Sequence, residues 1–370
     1  PRCFSDSIFI ISSRCGYDPD KLSLKALDLL LRDLDPYSST LDSAMINELK
    51  ISASGKFAGV GMVVGFRNGD YVVIAPFDGS PAYRGGVRAG DKLLEIDGVS
   101  LHGLTLLEAL KMVRGPSGSE VRFKIQDSIT GDIKNVRLRR TLIQAPSVRS
   151  KLLGENIGYL RLVNFQKDTR DDVLKAVNRM KSGSGGHLRG LILDLRDNPG
   201  GLLTEAIRIS DLFLGSGVIT SIRSRGSQLN KEFLASGNGP FASLPIIVLI
   251  NRGTASASEI LAGALQKRKN TLILGRRSFG KASVQDIFPI KTGLALRLTT
   301  AHYYTANGRD IEGTGIQPDV LVNKDFENTR QRGANLDLTQ IGTDPEIKLA
   351  FEYLISKKST HSSNIFMKLF

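Results

Sequence analysis

The chain has 370 residues, 41% of them hydrophobic, and 38 glycines, enough for two or three globular domains rich in turns. Its formal charge is +13, but Lys and Arg are scattered without a run of five or more and no RNA-binding signature occurs. That argues against a nucleic-acid partner and leaves solubility or weak attraction to anionic lipid headgroups. Two cysteines, Cys3 and Cys15, are too few for a metal site and leave their pairing open.

Residues 1–50 read as mostly helical. Ile8-Phe9-Ile10-Ile11 is far too short to span a bilayer. Ser23 is the expected N-cap of a helix that places Leu24, Leu27, Leu31 and Leu34 at helical spacing. Asp35-Pro36-Tyr37 then breaks it. The segment has the character of one that packs on the body or on a partner chain.

Residues 51–143 change character. Gly59-Val60-Gly61-Met62-Val63-Val64 opens a strand, and Tyr71–Pro76 is a second strand, joined through the hairpin signal Asn68-Gly69-Asp70. Ser80-Pro81-Ala82 starts a short helix. Gly90–Gly98 is turn, strand, turn. Thr105–Val113 is a helix, and strands follow around 121–125 and 134–138. This order resembles a PDZ domain of the kind found in bacterial proteases, with Ser80-Pro81-Ala82 and Gly86-Val87-Arg88-Ala89-Gly90-Asp91 in the places of its signatures. Such a domain adds a peptide strand to its sheet edge. The backbone amides of Gly59, Val60, Gly61 and Met62 would then hold the peptide's terminal carboxylate, glycine permitting the close approach.

Residues 144–325 alternate strands and helices, which predicts helices packed on a central sheet. Strands are expected at 157–162, 188–195, 244–250, 271–274, 287–289, 295–300 and 301–304, and helices at 171–180, 202–214 and 256–267. Residues 326–370 form a polar extension with one helix at 345–357 and a loose end.

The chemistry concentrates in two turns. Arg252–Glu259 puts Ser256 and Ser258 where an apolar strand meets a helix. Phe279-Gly280-Lys281, with Gln285 four residues on, is a sheltered glycine turn. A serine hydroxyl needs a base. None of the four histidines, His102, His187, His302 and His361, lies in such a turn, and a buried lysine can serve instead. A nucleophile at a helix N-terminus gains from the free amides there, and Ala257 N–H would hold an oxyanion. A second donor would come from Gly200 or Gly201 in Asn198-Pro199-Gly200-Gly201, which the sequence does not separate. Gln285 would hold the lysine amine by a hydrogen bond.

The ordered set Leu34-Asp35-Pro36, the PDZ pattern, Ile157-Gly158-Tyr159, Asp194–Gly201, Thr254–Glu259, Phe279-Gly280-Lys281 with Gln285, Arg297-Leu298-Thr299, Tyr304-Thr305 and Gly315–Asp319 resembles the carboxyl-terminal processing, or tail-specific, proteases of bacterial type. The resemblance covers residues 30–322. It implies a multi-domain α/β protein: a core similar to Clp protease and crotonase folds, an inserted PDZ domain and N-terminal helices. It puts the family's serine on Ser256, its general-base lysine on Lys281 and its orienting glutamine on Gln285. It gives Arg114 a role in gating the PDZ domain against the body. It implies a serine endopeptidase without cofactor or metal, acting on proteins with free apolar C-termini. Homodimers, peripheral or anchored membrane association and a place in the periplasm or on the outer face of the bacterial inner membrane come with it. Ala282 departs from the family, where glycine usually follows the lysine. The competing functions are an inactive PDZ adaptor and, on fold analogy alone, an acyl-CoA enzyme.

Overall fold

The computed structural model describes residues 2–322 and 341–356 apart from positions 17, 44, 47, 48, 50–52, 54–56, 68, 78, 144–146, 225, 227–229 and 292. Asn68 of the expected hairpin turn, His361, and most of the polar extension lie outside the described residues.

Helices Arg2–Cys15 and Pro19–Leu34 open the chain. The second begins one turn before Ser23. Asp18 accepts the Lys21 N–H and Pro19 takes the first helical position, which is the stronger start signal. Ser23 instead turns its hydroxyl back onto Pro19 O. Asp35 ends the helix by accepting Tyr37 N–H at 2.7 Å and Ser38 N–H at 2.8 Å, a turn that a carboxylate side chain stabilises. Strand Ser39–Asp42 then joins the body, antiparallel to Leu294–Thr305. The N-terminal segment is therefore stitched into the fold through Asp35 and this strand. Cys15 is an exposed free thiol. No described helix is long and apolar enough to cross a membrane.

The inserted domain is an antiparallel sheet of strands Met62–Arg67, Asp70–Pro76, Lys92–Ile96, Glu120–Gln126 and Ile133–Arg139 in that spatial order. Helices Pro81–Arg84 and Leu106–Val113 close it. The longer helix is fixed at its start by a reciprocal pair: Glu108 N–H on Thr105 Oγ1 and Thr105 N–H on the Glu108 carboxylate. Val73, Ile96, Val121, Phe123 and Ile125 form its core. Short strands Phe57–Gly59 and Thr141–Ile143 pair where the domain joins the body.

The body is built on a six-stranded sheet in the order Val148–Leu152, Ile157–Leu162, Gly190–Asp194, Ile246–Ile250, Thr271–Gly275 and Val320–Leu321. All neighbours from Ile157–Leu162 onward are parallel. Successive residues face opposite sides. Leu191, Leu193, Ile246 and Val248 meet helices Thr169–Gly183, Leu203–Phe213 and Ala257–Gln266. Ile192, Ile247 and Leu249 meet helix Pro345–Ser356. That helix is also tied down by charge: buried Asp194 pairs with Arg161 at 3.1 Å and with Arg196, and Arg196 reaches Asp344 at 3.0 Å. The two guanidinium groups hold the Asp194 carboxyl well below the usual carboxylate range despite its burial.

A second, antiparallel sheet joins Ser39–Asp42, Leu294–Thr305, Val218–Ser224, Lys231–Leu234 and Ser283–Lys291. The pieces expected at 295–300 and 301–304 are one continuous strand, since no turn residue separates Thr300 from Ala301. Three turns leave the carboxyl ends of three adjacent parallel strands: after Asp194, after Ile250 and after Gly275. In parallel sheets this end is where sites are built.

Candidate active site

The turn after Ile250 is held from below. Thr254 donates its hydroxyl to Leu195 O at 2.8 Å, and Asn251 and Asp197 exchange bonds across the two turns. The chain then reaches Ser256, which adopts φ 56° and ψ −119°. A non-glycine residue held there stores strain of about 1–3 kcal/mol, tolerated only where the surroundings fix it. Ser256 is half-buried and its hydroxyl donates to no described residue. Ser258, two residues on, is fully buried and gives its hydroxyl to Asn198 O at 3.0 Å. The two candidate serines thus separate: Ser258 is buried and engaged in holding the turns together, and Ser256 stands half-buried at the helix N-terminus with its hydroxyl donated to no described residue.

Asn198 organises the neighbouring turn. Its side chain donates to Leu162 O and accepts from Gly200 N–H, and its carbonyl accepts from Ala255 N–H. Gly200, at φ 99°, lies so close that a Cβ there would sit 2.8 Å from Ala255 O, Ala257 N and Ser256 Cβ. Only glycine fits. Among the described residues the N–H groups of Gly201 and Ala257 have no acceptor, whereas that of Gly200 is occupied by Asn198.

Sequence reasoning assigns Glu259 no role, yet it is the fixed point of the site. Its fully buried carboxylate accepts the N–H groups of Ser256 at 2.8 Å, Gly280 at 2.7 Å and Lys281 at 2.9 Å, and also the Ser278 hydroxyl. One side chain therefore ties the serine turn to the lysine turn. The signal was present in Ser256-Ala257-Ser258-Glu259, a Ser-x-x-Glu capping pattern. Burial pushes its carboxyl pKa up, against the four donors that favour the ionised form. Glu259→Ala should leave those buried donors without an acceptor, at about 1–3 kcal/mol for each that finds no water. The expected result is a fall in Tm of roughly 10 °C together with loss of any activity. A variant with wild-type Tm would contradict this account of the site.

Lys281 leaves that turn into strand Ser283–Lys291. Burial, with the Arg297 charge beside it, lowers its amine pKa to about 8. Its Nζ lies 4.7 Å from the centre of the Tyr37 ring, and no hydrogen bond joins it to Ser256. Gln285 does not bind the lysine amine as expected. Its Nε2 donates to Tyr37 O at 2.8 Å; Gln285 lies in strand Ser283–Lys291, where four residues advance the chain by roughly 13 Å rather than by one helical turn. Ala282 is buried, and its N–H donates to the Glu312 carboxylate at 2.8 Å.

The inserted domain sits directly on both turns. Val72 and Ile74 pack against Ala255 and Phe279. A cavity of about 280 Å³ runs between them; its walls include Val60, Met62 and Leu110 on one side and Lys281, Gln285 and Arg297 on the other, with Arg114 also lining it. The Gly59–Met62 loop is tied down through its carbonyls: Val60 O accepts Ala82 N–H, and Gly61 O accepts Phe77 N–H and the Ser80 hydroxyl. Gly61, at φ 76°, admits no side chain, since a Cβ would lie 2.2 Å from Ser80 Cβ.

Similar proteins are known. The model of peptidase family S41 matches residues 156–322 and that of a PDZ domain matches residues 72–127. A carboxy-terminal-processing protease of Bartonella bacilliformis is 42% identical over 306 residues, 82% of this chain and 70% of that protein. A carboxyl-terminal-processing protease of Picosynechococcus is 36% identical over 310 residues, 82% of this chain and 73% of the relative. Among solved structures, the photosystem II D1 C-terminal processing protease superposes with a TM-score of 0.73 at 28% identity, over 86% of this chain and 92% of that one.

Proposed function

This chain belongs to peptidase family S41, among the carboxyl-terminal processing serine proteases, and we propose that it cuts proteins near a free, apolar C-terminus with a Ser256–Lys281 dyad. The observation that carries the reading is the Glu259 carboxylate, which holds the backbones of Ser256 and Lys281 on one anchor. The strained Ser256 and Lys281, whose amine pKa burial lowers, are thereby tied through their backbones to the same carboxylate.

Neutral Lys281 takes the Ser256 proton as Oγ attacks the peptide carbonyl. The N–H groups of Ala257 and of the Gly200–Gly201 turn take the oxyanion, with Gly201 favoured because Gly200 N–H is already given to Asn198. Protonated Lys281 passes its proton to the leaving amine. Water then attacks the acyl ester with Lys281 again as base. Lys281 must swing from Tyr37 toward Ser256 for the first step.

The PDZ domain supplies the tail site. The N–H side of the Gly59-Val60-Gly61-Met62 loop takes the terminal carboxylate and Leu106, Leu110 and Val113 line the cavity for apolar side chains. Arg114, in that cavity with Lys281, links tail binding to the site. From the family alone, the same proposal puts the protein in the periplasm or on the outer face of the bacterial inner membrane, by peripheral or anchored association, and expects a homodimer.

The test is cleavage of an unfolded reporter protein with an apolar C-terminal tail. A base must be neutral to act, so kcat/KM should rise with pH, with its midpoint near the Lys281 pKa of about 8. Amidating the reporter's terminal carboxyl should weaken cleavage. A profile flat from about pH 6 to about 9 would exclude Lys281 as the base.

A further inference from the structure

Tyr37 belongs to the N-terminal segment, far in sequence from either turn, and sequence reasoning gives it no role beyond a helix break. It is 8% exposed. Its ring covers the Lys281 Nζ at 4.7 Å and its carbonyl accepts Gln285 Nε2 at 2.8 Å. The segment is not free to drift: Asp35 accepts Tyr37 N–H, Ser38 N–H and the Thr299 hydroxyl, and Ser38 accepts Thr299 N–H. One residue thus engages both the proposed base and the glutamine meant to orient it.

We propose that Tyr37 is a positioning residue that parks the Lys281 ammonium off Ser256, so that the lysine reaches the serine only as its proton leaves. An aromatic face attracts a cation and has no comparable attraction for a neutral amine. The ring therefore favours the charged, parked lysine, and the neutral lysine is released toward Ser256. The inference rests on the reading of Lys281 as the base.

Other groups face the same amine. Arg297, on the long strand, opposes its charge, while Glu312, Glu259 and Asp35 favour it. Arg114, from the inserted domain, shares the cavity and acts on Arg297. All of these remain when only the Tyr37 ring is changed, so the ring's part can be isolated.

The experiment is the pH profile of kcat/KM on the unfolded reporter for wild type, Tyr37→Phe, Tyr37→Leu and Tyr37→Met, with a thermal unfolding curve for each. Tyr37→Phe keeps an aromatic face and should keep the wild-type midpoint. Tyr37→Leu keeps apolar cover without the cation attraction, so its midpoint should move down by about half a pH unit, with a roughly threefold gain in rate at the acid end. Tyr37→Met provides a second non-aromatic cover should the leucine variant unfold. A uniform loss of rate with an unmoved midpoint in both non-aromatic variants would overturn the proposal, as would a Tyr37→Phe profile shifted as far as that of Tyr37→Leu. A limb that persists in Lys281→Ala would overturn the dyad itself, a failure distinguishable because it does not depend on Tyr37.

Discussion

Ser256→Ala should lower the rate of peptide cleavage by about 10⁴–10⁶-fold, the scale on which serine proteases lose activity when the nucleophile is removed. The fold should survive. The Ser256 hydroxyl donates to no described residue, and its structural bond runs through its backbone N–H to Glu259, which alanine retains. Ser258→Ala is the informative contrast. It removes a buried bond to Asn198 O and should cost about 1 kcal/mol of stability, with cleavage largely kept. Steady-state rates and Tm for the two variants check this. Equal loss of cleavage in both at unchanged Tm would mean that burial and hydrogen bonding do not distinguish the two serines.

Lys281→Ala should lower kcat/KM by roughly 10³–10⁴-fold. A serine hydroxyl has almost no alkoxide at neutral pH, and no described histidine is among the hydrogen-bonding partners of Ser256. Lys281 is suited to the task because burial and the Arg297 charge lower its pKa to about 8. An ordinary exposed lysine, near 10.4, would be neutral in only about one molecule in 2500 at pH 7. The lysine N–H that meets Glu259 belongs to the backbone, so alanine preserves that anchor. The loss should therefore appear in kcat without a matching change in Tm, measured on the same reporter.

The sequence was most legible where chemistry demands particular residues in a tight space. The Gly59–Met62 loop and the Gly200–Gly201 turn were legible as places that depend on glycine, and Gly61, Gly200 and Gly201 each admit no Cβ. The serine and lysine turns were legible from their strand-to-helix and glycine settings, and the parallel sheet from its near-continuous apolar strands. What was hidden depends on pairing across long separations. Strands Ser39–Asp42 and Val218–Ser224 earn their place only by pairing with Leu294–Thr305, and neither has a strong period of its own. Tyr37 lies over Lys281 because Asp35 and Thr299 fasten the N-terminal segment to the body, which no local pattern reveals. Ser23 misled because Asp18 and Pro19 supplied a better helix start one turn earlier. Gln285 misled because its partner, Tyr37 O, comes from the distant N-terminal segment, which its spacing from Lys281 does not reveal.

The most direct test of the dyad is kcat/KM of Lys281→Arg beside Lys281→Ala on the unfolded reporter. Arginine keeps the positive charge but stays protonated throughout the working pH range. It can stabilise an anion and cannot take a proton from Ser256. The account predicts that Lys281→Arg is as inactive as Lys281→Ala while retaining wild-type Tm. An arginine variant that keeps a substantial share of wild-type cleavage would contradict it, because Lys281 would then act through its charge and the proton of Ser256 would have to leave by another route.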